Sequence, residues 1–291
     1  MEAINEYLEY IKNTRKLSAN TVSSYGTDLR KYSDYLERNK IALEDVTEAD
    51  ILNYLVELEK ENISASTAAR MTSSIKSLHD YLFFMKKSGT DPSRNIKKPK
   101  VKKEKMEILT EKEVEQLLSF DDMNSELGIR DKAIFEILYG TGMKVSELVE
   151  LNLSDVSDEL DHIICKTPKH SRVIPIIDTT RIYLSRYIEI SRPKLADNEE
   201  NALFVSSLGK RFTRQGLWKI IKKYSQKANI NKNINPTMLR HSFAIHMINH
   251  GANIATVNRI LGNSNLASIQ SYINCIDANI RKEMSTKHPR K

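Results

Sequence analysis

Apolar residues in the first third of the chain recur at helical intervals. Ile4, Leu8 and Ile11 share one face, and Val22, Tyr25, Leu29, Tyr32 and Leu36 make a second stripe with steps of three and four. Thr47 stands where an N-cap belongs, ahead of a third stripe at Ile51, Tyr54, Leu55 and Leu58. Ala68, Met71, Ile75, Leu78, Leu82 and Met85 mark a fourth. Each helix has one apolar face and must bury it against another, so residues 1–87 are predicted to form a small four-helix bundle.

The periodicity stops at Lys86. Up to Lys105 the chain carries Lys86, Lys87, Arg94, Lys97, Lys98, Lys100, Lys102, Lys103 and Lys105, punctuated by Gly89, Pro92 and Pro99. Residues 88–105 read as a linker. So dense a run of one sign repels itself unless a polyanion lies against it, which makes Lys97, Lys98, Lys100, Lys102 and Lys103 candidate phosphate contacts.

Helical periodicity resumes in a second domain, residues 106–291. Thr110 and Glu113 have the spacing of a capping box. Ala133, Ile134, Ile137 and Leu138 lie on a helix that ends at Gly140-Thr141-Gly142. Two β-rich runs, Ile163–Cys165 and Arg172–Ile176, flank the basic tip Lys166-Thr167-Pro168-Lys169-His170-Ser171 as a hairpin. Helices are expected again at about 179–192, 213–229, 236–250, 253–261 and 267–275, and residues 287–291 read as a basic tail. The fold class is therefore mainly α with one small β-sheet, an α+β arrangement in two domains.

The charge narrows the partner. With 45 basic against 38 acidic residues the net charge is +7, which favours nucleic acid or an anionic membrane. No apolar run approaches the ~20 residues needed to cross a bilayer, and the first residues lack the charged and apolar regions of a signal peptide. Nucleic acid is the better expectation, and the resemblance given below makes it double-stranded DNA. Cys165 and Cys275 are the only cysteines and show no zinc spacing, so a reduced, cytoplasmic setting is expected. His246 and His250 stand four apart on a helix without a third ligand and read as structural. No metal and no cofactor are expected.

The chemistry concentrates towards the C-terminus. Arg240 lies on a predicted helix, and Tyr272 follows in a short one. A phenolate can attack a phosphodiester that a guanidinium holds. Gly140 to Leu148, the hairpin with Lys169 and Arg172, Thr237-Met238-Leu239-Arg240-His241, Leu261-Gly262-Asn263-Ser264 and Tyr272 together resemble, in order and spacing, the active-site boxes of tyrosine recombinases, the lambda-integrase family. The bundle, notably Thr21 to Tyr25, resembles that family's core-binding domain, and Xer-type members are similar over nearly the full length.

The resemblance implies a metal-independent site-specific recombinase that cuts and rejoins DNA through a 3′-phosphotyrosine. Tyr272 would be the nucleophile, Arg240 a phosphate clamp and Lys169 the general acid, with Lys166 as second candidate. Lys144, Thr237 and Asn263 stand where the family carries arginine, histidine, and histidine or tryptophan. Each can still donate a hydrogen bond to phosphate. These three leave a second reading open, a DNA-binding paralogue that does not cut. Assembly would be a homo- or hetero-tetramer on two DNA sites, joined by exchange of the segment with Ile276, Ala278 and Ile280. Arg70, Ser74 and Lys76 lie off the apolar stripe of the fourth helix and are candidates for a DNA groove, as is Arg172 for a backbone contact.

Overall fold

The structure is a computed structural model that describes residues 2–101, 106–120, 122, 124–167 and 171–262. It divides into two compact units, Met1–Glu104 and Lys105–Lys291.

The first unit contains the four predicted helices, α1 (Glu2–Asn13), α2 (Ala19–Arg38), α3 (Glu48–Lys60) and α4 (Ala65–Phe84). Their starts are fixed by side chains. Ser18 accepts from the Thr21 amide and Ser64 from the Thr67 amide, while Thr47 and Asp50 close a reciprocal capping box. The stripes meet in one core that includes Ile4, Ile11, Leu29, Tyr32, Ile51, Met71, Ile75 and Leu78. Among its buried polar groups is a ring: His79 is almost fully buried, and its Nε2 lies 3.1 Å from the Tyr32 hydroxyl.

The basic segment begins later than expected. Ile96 is buried in this same core and Ser93 is fully buried, so residues 91–96 fold onto the first unit. Lys97, Lys98 and Lys100 beyond it are exposed, and Lys102 and Lys103 lie outside the described residues. The sequence concealed this anchoring because one isoleucine among lysines has no periodicity to announce it.

The second unit runs through α5 (Glu111–Leu118), α6 (Glu126–Thr141) and α7 (Val145–Glu150) to the hairpin β1 (His162–Lys166) and β2 (Ser171–Pro175). It continues through α8 (Asp178–Arg186), a π-helical stretch Tyr187–Ser191, α9 (Arg192–Leu195), α10 (Arg214–Lys227), α11 (Pro236–Asn249) and α12 (Ile254–Leu261). The strands pair antiparallel with Cys165 opposite Arg172 and Lys166 opposite Ser171. Thr110 and Glu113 form the expected capping box. The expected helix at 267–275 lies outside the described residues.

The main core joins Phe135, Leu148, Ile163, Ile174, Leu184, Tyr187, Phe204, Ile221 and Leu239. Helix α6 is buried on nearly every side, and its buried charges are paired within the helix. Arg130 donates twice to Asp131, and Lys132 meets Glu136 at 2.9 Å. Helix α11 is buried almost all round as well.

Burial holds the His79 imidazole neutral, with its pKa lowered from 6.5 to about 4. The folded pKa is depressed, so this stabilisation is fully present above pH 6.5 and is lost as the pH falls towards 4. The bundle should lose up to about 3 kcal/mol across that window. Denaturant titrations at several pH values should show this slope in the wild type and not in His79→Phe.

Candidate active site

The site is organised by a carboxylate. Lys144 is the N-cap of α7, and the third helical residue, Glu147, folds back so that its Oε2 accepts the Lys144 amide at 2.8 Å. Glu147 is buried. Its two oxygens accept Nη1 and Nη2 of Arg172 at 3.0 and 2.8 Å, a forked ion pair from β2. Lys144 Nζ lies 3.8 Å from one oxygen and Arg240 Nη1 3.9 Å from the other. Burial pushes the Glu147 pKa upward, but the Arg172 hydrogen bonds, the Lys144 amide and the adjacent cations outweigh it. The carboxyl therefore sits below its ordinary range and is ionised at neutral pH.

Arg240 is held by main chain. Nη1 donates to Gly142 O at 3.0 Å and Nη2 to Leu261 O at 2.8 Å. Arg172 Nε donates to Ile260 O at 2.7 Å. Two guanidinium groups thus cap the carbonyl end of α12, where the helix dipole favours cations. Gly142 and Gly262 end their helices in the left-handed conformation, at φ 60° and 61°. A Cβ on Gly142 would stand 2.3 Å from the Phe243 ring, and one on Gly262 2.7 Å from Arg172. Both glycines let backbone approach an arginine-bearing element where no side chain fits.

The structure therefore brings Lys144, Arg172 and Arg240 to one place. Thr237 is exposed in the first turn of α11, three residues before Arg240. That spacing sets the two on adjoining faces. Lys166 ends β1 with its side chain largely exposed and Nζ 2.6 Å from the buried Asp155 carboxylate. Lys169, Asn263 and Tyr272 lie outside the described residues; α12 ends at Leu261, two residues before Asn263.

Several expectations need correcting. Arg172 sits deeper than a surface contact would: its guanidinium is mostly buried and bonds Glu147 and Ile260 O. Lys76 does not face a groove either, because its ammonium donates to the carbonyls of Ser93, Arg94 and Ile96. Ser74 is fully buried and donates to Met71 O. Arg70 remains partly exposed, with Nη1 paired to the buried carboxylate of Asp28. His246 and His250 turn to different partners, Leu109 O and Glu111. Glu147 had escaped notice because a glutamate three residues after an N-cap reads as an ordinary cap. The clue available was its apolar surround, Val145, Leu148 and Val149.

Chemically, the cluster offers two buried guanidinium groups beside a half-exposed ammonium, which suits a phosphodiester whose charge grows during displacement.

Comparison with known proteins agrees. Residues 107–278 match the Phage integrase family, and residues 4–85 match the Phage integrase, N-terminal SAM-like domain. The chain is 39% identical over 293 residues to "Tyrosine recombinase XerD" of Staphylococcus epidermidis, covering 99% of this chain and 98% of that protein. It is 38% identical over 294 residues to the protein of the same name from Oceanobacillus iheyensis, again covering 99% and 98%. In fold it resembles the XerH site-specific recombinase in a post-cleavage complex on a palindromic difH substrate, with TM-score 0.77 and 20% identity, over 99% of this chain and 85% of that one. It also resembles the Tn1549 transposon integrase in complex with circular intermediate DNA, with TM-score 0.73 and 21% identity over 93% and 94%.

Gly142→Ala should destabilise the second unit by about 2–5 kcal/mol, from the left-handed backbone and the Phe243 clash together. Unfolding monitored by circular dichroism checks this. A loss of only about 1–2 kcal/mol, the backbone cost alone, would mean that Phe243 moves aside freely.

Proposed function

The chain belongs to the phage integrase family, and we propose that its Lys144, Arg172, Arg240 and Glu147 cluster is the phosphate-binding half of a recombination site. The protein is a site-specific tyrosine recombinase, which binds DNA, cuts it and rejoins it, and it acts as a multimer. The observation that carries the site reading is the convergence of three cations from α7, β2 and α11 on one buried carboxylate.

Tyr272 is the proposed nucleophile. Its phenolic oxygen gives its proton to solvent and forms a bond to the scissile phosphorus as the bond to the 5′ oxygen breaks, and the 5′ oxygen leaves with a proton from a general acid. Rejoining reverses the exchange, so the phosphate bond energy is conserved and no ATP is consumed. Arg240 and Lys144 are proposed to neutralise the pentacoordinate phosphorus, with Thr237 and Asn263 as neutral donors. Lysine keeps the charge of the arginine it replaces but offers a point rather than a fork. Slower cleavage follows from this, rather than none.

Lys169 is proposed as the general acid. One observation favours Lys166 as a second reading: its chain neighbour Cys165 pairs with Arg172 and feels the charges of Glu147, Arg172, Lys144 and Arg240. The finer assembly proposed is a tetramer on two sites with C-terminal segments exchanged, working in the cytoplasm. Ile276, Ala278 and Ile280 belong to the segment outside the described residues.

Denaturing lysis of the native host, followed by sequencing of DNA that stays attached to this protein, should recover one site. The adduct should vanish in Tyr272→Phe. Adducts formed only by Lys144→Arg/Thr237→His/Asn263→His would make the native chain a binding protein instead.

Replacing Lys169 by Ala should slow single-turnover cleavage by about 10²–10⁴-fold. A substrate whose 5′ bridging oxygen is sulfur should restore the rate, since a thiolate leaves without a proton. Rescue of Lys166→Ala in place of Lys169→Ala would move the role to Lys166.

A further inference from the structure

Within the first unit, Arg70 of α4 meets a carboxylate that α2 keeps out of water. Its Nη1 donates to Oδ2 of Asp28, which is buried, and to Ser24 O at 3.4 Å. A guanidinium has five N–H bonds. Two sit on Nη1. Among the described residues nothing bonds the other three, on Nε and Nη2. The side chain is 42% exposed, so this unused edge is open to solvent. Nε–H and Nη2–H lie side by side on it, which is the fork that fits two acceptors at once. The backbone beneath is fixed, because the next residue, Met71, is buried in the bundle core.

The pair is not there for stability. Burial pushes the Asp28 carboxyl above its ordinary range, and Arg70 offsets this only in part. A buried ion pair of this kind adds little to a fold that a neutral isostere would not. What it does supply is direction, since a long side chain tied at one nitrogen has lost most of its rotamers. The surroundings suit a polyanion. Asp28 is the only acidic residue in residues 19–33, and residues 65–79 have none. Lys31, exposed on α2, adds a second positive charge near Asp28.

We propose that Asp28 is a positioning residue for DNA recognition: it holds Nη1 of Arg70 and presents the Nε and Nη2 edge to paired acceptors on duplex DNA. This rests on the recombinase reading above. Two kinds of acceptor match the fork, O6 and N7 of a guanine or two oxygens of one phosphate. An arginine already held loses less freedom on binding, and that saving sets the effect of Asp28. One immobilised side chain is worth about 2–10-fold in affinity. The sign is diagnostic. By charge alone, removing a carboxylate strengthens binding to DNA, whereas removing a positioning group weakens it.

The test uses the full chain and the variants Asp28→Asn, Arg70→Ala, Arg70→Lys and the double Asp28→Asn/Arg70→Ala. Nitrogen relaxation of Arg70 Nε is read without DNA. Kd is read across a salt series for a short duplex carrying the trapped site and for a scrambled duplex of equal length. The Nε order parameter should drop below about 0.6 in Asp28→Asn, and Kd should rise about 2–10-fold. Arg70→Lys, which keeps the charge and loses the fork, should bind at least about fivefold more weakly than wild type. The double should bind no worse than Arg70→Ala. Equal losses on both duplexes, with the salt slope of Arg70→Ala lowered by about 0.9, identify a phosphate. A loss confined to the trapped site, and reproduced in wild type by 7-deazaguanine at one position, identifies a guanine. Asp28→Asn that binds as well as wild type or better overturns the proposal, as does a double weaker than Arg70→Ala. Should Asp28→Asn fail to fold, a mobile Nε in wild type or full affinity in Arg70→Lys overturns it instead. Wild-type protein that bound neither duplex would sink the recombinase reading and this proposal with it, whereas tight wild-type binding that ignored Asp28→Asn would sink the proposal alone.

Discussion

Everything at the site depends on one buried negative charge. Arg172, Arg240 and Lys144 come from a strand, a helix and a helix start, and two buried guanidinium groups beside a half-exposed ammonium would drive one another apart. Glu147 offsets them. It is drawn inward by its place at the third position of α7, where it also satisfies the Lys144 amide. Its fork to Arg172 ties the β-hairpin to α7, and Arg172 in turn ties the hairpin to the end of α12. Removing one member of a buried ion pair commonly costs about 3–5 kcal/mol, because the partner charge is stranded. The carboxylate is therefore both a structural joint and the reason that positive charge can be concentrated at the proposed phosphate site.

Helix α11 carries that arrangement to the rest of the unit. Arg240 reaches the carbonyls that end α6 and α12, while Ser242 and His246, further along the same helix, hold the chain at Leu109. Gly142 permits this closeness, since the Phe243 ring occupies the space a side chain would need. Arg240, the proposed phosphate clamp, and the chain at Leu109 are thus fastened to one helix. For a recombinase this matters because a misplacement of about 1 Å at the reacting phosphorus can cost about 10² in rate.

Much of the fold was legible in the sequence. The bundle helices are surface helices with one wet face, so their stripes and their Ser and Thr caps show directly. The hairpin showed through its β-rich runs. What was hidden shares one physical cause: a charged side chain whose partner is far away in sequence looks solvated. Lys76 bonds to carbonyls 17 to 20 residues on, and Arg172 bonds to Glu147, 25 residues before it. Both looked like free cations facing DNA. Arg240 and Lys144 were legible as site residues only through the order and spacing of neighbouring boxes. Glu147 lay inside one of those boxes, yet nothing local distinguishes a cap that turns inward from one that faces water.

The central claim is that the charge of Glu147, and not merely its shape, assembles the phosphate site. Glu147→Gln keeps the size and one acceptor and removes the charge. Its single-turnover rate of covalent adduct formation, measured on the trapped site beside its DNA affinity, tests this most directly. The account predicts a rate lowered by at least about 10²-fold, on the scale of losing a preorganised group, with affinity within about threefold of wild type, because the basic linker and bundle are untouched. Cleavage at the wild-type rate would contradict it, and would show that Arg172, Arg240 and Lys144 hold their places without the carboxylate.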